Sequence, residues 1–117
     1  MSLYLCVFDG PDEIEGVEVG PYADFNALRD TIAGQLEGGK AGSRFPTLML
    51  HSDCDGEWDL DACARLKTEL DTIVAEARLR PASAIERFLD VDGQFLLERL
   101  QGLVETALRS RQPILFQ

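Results

Sequence analysis

The chain is short of positive charge, of histidine and of cysteine, and each shortage removes a class of function. Eleven Lys and Arg stand against 21 Asp and Glu in 117 residues, a formal net charge of −10. So few cations leave no electrostatic footprint for the phosphates of nucleic acid or for an anionic membrane. A single histidine, His51, leaves little for acid–base catalysis. Cys6, Cys54 and Cys63 are an odd, low count, which fits unbridged thiols in a reducing cytoplasm better than a disulfide scaffold. No apolar run approaches the roughly 18–20 residues that span a bilayer. A basic segment and a small-residue cleavage site are also missing from the start, so no secretory signal is read. Repeats, linkers and low-complexity tracts are absent, and 13.0 kDa suits one domain over residues 1–117.

What is present is unevenly placed. Residues 1–61 hold thirteen acids and three bases, whereas residues 62–117 hold eight of each. The whole net charge therefore belongs to the first half, in two runs, Asp9 to Glu18 and Asp53 to Asp61. In the neutral half the signs interleave at helical spacing, and Glu76/Arg80 and Glu105/Arg109 are expected as i,i+4 pairs.

Hydrophobic spacing predicts an α+β fold: a single compact domain with a small sheet of three or four strands and three helices packed on it. Leu3–Phe8 reads as a strand buried on both faces, and Gly16–Gly20 as a short edge strand or turn arm. Phe25, Leu28, Ile32 and Leu36 recur as in a helix over 22–37, stopped by Gly38-Gly39. Residues 47–50 (TLML) read as a second buried strand. A helix over 60–79 follows, capped by Asp59 and closed by Pro81. Residues 82–91 are irregular, with Ile85, Phe88 and Leu89 expected to touch the core. Asp92 is the expected cap of a third helix over 94–110, and Ile114–Phe116 a terminal strand of the same sheet.

Few constellations carry chemistry. Residues 34–40 (GQLEGGK) match the letters of a phosphate loop. They follow a helix, however, and Ala41 stands where the magnesium-binding hydroxyl belongs. The densest polar segment is His51–Trp58 (HSDCDGEW). Its Asp53-x-Asp55-Gly56 lacks the remaining ligands of a calcium loop, and His51, Cys54 and Cys63 match no zinc spacing. Cys54 lies among Asp53, Asp55 and Glu57, and neighbouring anions disfavour a thiolate nucleophile. No cofactor is expected. Turn chemistry accounts for the same residues: Asx side chains for the loop backbone, Gly56 for positive φ, Asp59 for the cap, and Trp58 over the edge of the core.

Several segments together resemble a known family. Met1–Phe8 (MSLYLCVF), Glu15–Asn26 (EGVEVGPYADFN), Ala41–Leu48 (AGSRFPTL), His51–Trp58 (HSDCDGEW) and Pro113–Phe116 (PILF) look like the immunity protein 70 family of bacterial polymorphic toxin systems. The resemblance covers nearly the whole chain outside about 81–90. It implies a small cytoplasmic protein that binds and neutralises a cognate toxin during contact-dependent competition between cells, and it implies no catalysis. It assigns no toxin-contacting residue.

Charge adds a candidate surface. An acidic inhibitor suits a basic toxin domain, such as a nuclease with a phosphate-binding cleft. Asp12, Glu13, Glu15, Asp55 and Glu57 are the expected toxin-binding acids, read as loop residues without capping duty. The competing expectation is a small enzyme or a metal- or ligand-binding domain centred on His51–Trp58.

Overall fold

A computed structural model describes residues 2–52, 55–81, 88–89 and 93–117. β1 (Ser2–Asp9) and β2 (Asp12–Pro21) form an antiparallel hairpin that turns at Gly10, whose φ of +63° suits a residue without Cβ. Irregularities between Leu3/Tyr4 and Val7/Phe8 let the ten residues of β2 run beside the eight of β1. β2 is therefore a full strand from Asp12 onward, longer than the alternation at 16–20 suggests. β3 (Glu57–Trp58) and β4 (Ile114–Phe116) complete the sheet in the order β2-β1-β4-β3, antiparallel throughout.

Three long helices supply most of the remaining core. α1 (Tyr22–Leu36) buries Phe25, Leu28 and Ile32, as its spacing predicts. α3 (Leu60–Ala77) begins at Asp59, whose carboxylate accepts the Ala62 N–H at 2.8 Å, the expected cap. It buries Leu66, Leu70 and Ile73. α4 (Leu96–Ser110) buries Leu97, Leu100, Leu103 and Val104. Its N-cap position is Phe95, with no side-chain cap bond; the expected cap, Asp92, lies outside the described residues. Of the irregular stretch, Phe88 is buried with its ring edge-on to Phe95. Leu89 is 39% exposed, contrary to expectation, and Ile85 is outside the described residues.

Residues 47–50 are not a strand. Pro46–Met49 form a single helical turn, α2, and the place in the sheet is taken by β3 and β4. The reason lies in distant side chains. Pro46 starts the turn with its φ fixed and no N–H to satisfy. The Glu69 carboxylate, from α3, accepts the next two amides, Thr47 N at 3.1 Å and Leu48 N at 3.0 Å. At the other end the Arg29 guanidinium, from α1, donates to the carbonyls of Leu48, Met49 and His51, the last at 2.6 Å. An acid at the amide end and a base at the carbonyl end satisfy the groups a short helix leaves open.

The preceding loop is held in the same way. Glu37, buried at the end of α1, accepts the amides of Gly42, Arg44 and Phe45 at 3.2, 2.9 and 3.0 Å. Arg44 donates to the Leu36 carbonyl and forks onto Glu76 at 3.1 and 2.8 Å. Glu76 thus bonds across the fold instead of to Arg80, which donates to the Gln35 carbonyl. The i,i+4 ion pair found among the described residues is Lys67–Asp71.

Cys6 and Cys63 are free thiols, both buried. Burial pushes the Cys63 thiol from 9.0 up to about 11. The folded protein therefore holds a proton that the unfolded chain releases. This contribution is fully present below about pH 9 and is lost as pH rises towards 11. Urea midpoints measured between pH 7 and 11 should show that decline in the parent and less of it in Cys63→Ala. Two substitutions test the packing. Leu100→Ala should cost about 2–5 kcal/mol. Glu69→Ala should cost about 2–4 kcal/mol, because two α2 amides lose their acceptor. An unchanged midpoint for Glu69→Ala would mean that α2 is held by other groups.

Candidate functional site

The sheet has two unlike faces. Leu3, Leu5, Val7, Val17, Val19, Trp58, Ile114 and Phe116 belong to the core shared with the helices. Residues directly opposite in an antiparallel pair project to the same side, so the register defines the other face. Tyr4 stands opposite Glu18, Phe8 opposite Glu13, and Gly16, Cys6, Leu115 and Glu57 form one row across all four strands. Tyr4, Phe8 and Leu115 are half-buried, and none of them packs on the core. Cys6 is fully buried, yet it too lies outside the core cluster. The expectation that β1 is buried on both faces is therefore met in full on the core face, and on the outer face at Cys6 but only in part at Tyr4 and Phe8.

Tyr4 organises this outer face. A Cβ on Gly16 would lie 1.8 Å from the Tyr4 hydroxyl oxygen, so the ring can lie across the neighbouring strand only because position 16 is glycine. The hydroxyl donates to Glu13 Oε2 at 3.0 Å. Burial first, then the Glu13 carboxylate, holds its pKa above the usual tyrosine value. Burial and Glu13 likewise push the Cys6 thiol up, which disfavours a reactive thiolate there.

The five expected acids fall in different places. Asp12, Glu13 and Glu15 are residues of β2 and Glu57 of β3, so four of the five are strand residues, not loop residues. Glu13 and Glu57 share the outer face near its two edges, on strands three spacings apart and in rows offset along the strands, Glu13 level with Phe8 and Glu57 with Cys6. Glu15 stands opposite Val7 on the helix side, where its carboxylate accepts the Thr106 hydroxyl at 3.3 Å. Asp12 faces Asp9 at the hairpin end, two like charges directly across from one another. Asp55 is exposed beside β3. Among the described residues none of the five forms an ion pair; those present join Arg44–Glu76, Lys67–Asp71 and Arg78–Glu98.

Glu18, Tyr4, Phe8 and Leu115 are the outer-face residues that sequence reasoning passed over. The alternation Val17-Glu18-Val19 was a usable signal for Glu18. Inside the continuous run 3–8, apolar side chains on both faces hid the others.

The His51–Trp58 segment is occupied with the fold. The His51 ring stacks on Phe116 with centroids 4.2 Å apart and lies 5.3 Å from Trp58. Its nitrogens face the carbonyl oxygens of Ser52 at 2.8 Å and Glu57 at 2.9 Å, and the protonated nitrogen donates. The Trp58 indole N–H donates to the Thr47 carbonyl at 3.1 Å, and Gly56 has a φ of +88°. Asp53 and Cys54 lie outside the described residues, among which no group of three or more His, Cys, Asp or Glu could hold a metal. Also among them, no helix is long and apolar enough to cross a membrane.

No curated protein and no solved structure matches the chain. A family model described as immunity protein 70 matches residues 3–86, a span that contains β1, β2, α1, α2, β3 and α3. That match covers more than half of the sequence, and the chain belongs to the immunity protein 70 family, a family of immunity proteins of toxin systems.

Proposed function

We propose that the protein neutralises a cognate toxin of a polymorphic toxin system by binding it, and that the toxin domain is basic and of nuclease type. The observation that carries this is the uncompensated acid of the first half. Asp12, Glu13, Glu15, Asp55 and Glu57 have no ion-pair partner among the described residues, although the helical side of the molecule forms three pairs. Unpaired carboxylates at both sheet edges project a negative potential that speeds encounter with a basic surface and rejects anionic ones. Neutralisation of this kind acts in the cytoplasm and requires no catalysis, nucleic acid or membrane.

An enzyme or metal site around His51–Trp58 is the competing reading. Against it, both His51 nitrogens face main-chain carbonyls, so the one histidine of the chain is not turned towards a ligand.

The test uses the purified toxin domain against which this chain protects cells. Reversing Asp12, Glu13, Asp55 and Glu57 to Lys should slow association and flatten its salt dependence, with thermal stability almost unchanged. Any one of these carboxylates that is fully desolvated in the complex should also speed dissociation, at about 2–5 kcal/mol. Glu105→Lys, on the exposed side of α4, should change neither rate. If the fourfold variant still binds and protects like the parent, the acidic surface is not the contact.

A further inference from the structure

We propose that the outer face of the sheet, centred on Tyr4, Phe8 and Leu115, is the docking surface of this protein, and that its occupant is a basic protein surface with an apolar centre. The inference rests on the toxin-binding reading above and assigns it a face. Among the described residues, the large apolar side chains that are more exposed than these half-buried three are single residues on different elements: Ile14, Leu50, Leu60, Leu79 and Leu89. Isolated residues of that kind are ordinary on protein surfaces. On the outer face, by contrast, Phe8, Tyr4 and Leu115 come from two neighbouring strands and surround Cys6, and no described helix contributes to the cluster. An apolar middle with a polar rim is the anatomy of an interface.

The rim selects the occupant. Glu13 and Glu18 project on the β2 side and Glu57 on the β3 side, while no Lys or Arg occupies any paired position of this face. A second copy of the chain would bring these carboxylates against their own kind, so self-association is opposed. A cationic rim on the partner would meet them favourably.

The face is also prepared for contact. The hydroxyl end of Tyr4 lies over Gly16 and is tied to Glu13, so one of the face's aromatic anchors is ordered before binding. At the β3 edge His51 takes the Glu57 carbonyl, which leaves that acceptor already used and disfavours addition of a strand at that edge.

The experiment again uses that toxin domain, with Phe8→Thr/Leu115→Thr, a pair that keeps strand-forming residues in place. Dissociation should accelerate at least tenfold, and the loss should persist in high salt, unlike that of acid reversals. Hydroxyl-radical footprinting of the unaltered protein supplies a readout independent of variant folding. Tyr4, Phe8 and Leu115 should be protected in the complex. Binding by the unaltered protein with protection confined to α1, α3 or α4 overturns the face and leaves the toxin-binding reading standing. Absence of any binding by the unaltered protein overturns both. A dimer of the chain alone that Leu115→Thr dissolves also overturns the proposal, in favour of a second copy as occupant.

Discussion

Two buried carboxylates hold the loop between α1 and α2. Glu37 and Glu69 between them accept five main-chain amides, from Gly42 to Leu48, and so set the path from the end of α1 into α2. Charge-assisted bonds to backbone amides are among the stronger ones a protein makes, and unmet buried amides are costly. The consequences run outward. With α2 in place, the Thr47 carbonyl meets the Trp58 indole and Arg29 meets the His51 carbonyl. Trp58 and His51 then pack with Phe116, which joins β3 to β4 and finishes the sheet.

A sheet finished in this way keeps the described helices on one side. The core takes Leu3, Leu5 and Val7 from β1, and the alternate residues of the same strand are left to the outer face. That division reconciles an apolar strand with a binding role: one set of side chains supports the fold, and the other is available to a partner. The acids follow the same division. Among the described residues the ion pairs join α3 to the loop before α2, to α4 and within itself, apart from the sheet-edge carboxylates. The facing Asp9 and Asp12 show that local repulsion is tolerated there. A local rule broken without internal compensation is most easily understood at a surface whose complement is another molecule.

The family resemblance, the α+β class, the three long helices and the terminal strand were legible before the structure. So were the Asp59 cap, the need for Gly56 and the acidic first half. Periodicity, cap chemistry and charge counts are properties of neighbouring residues, and the helices obey them because each has one apolar stripe against one core. The expected site was legible in part. Acid runs announce a negative region, but register decides that Glu13 and Glu57 share a face while Glu15 turns to Thr106.

By itself, then, the sequence determined the elements with strong local patterns and the sign of the surface. Tertiary structure decided what local pattern leaves open. The TLML run became a helical turn because Glu69 and Arg29, 21 and 19 residues away from their nearest contacts in it, supply an acceptor and a donor that a strand there would not use. The outer face arose in the same way, from the pairing of β1 with β2 and β4. A pair more than a hundred residues apart, Cys6 and Leu115, shares a row only once the chain has closed. Long-range pairing is absent from any local window, which is why the face could be seen only in the folded protein.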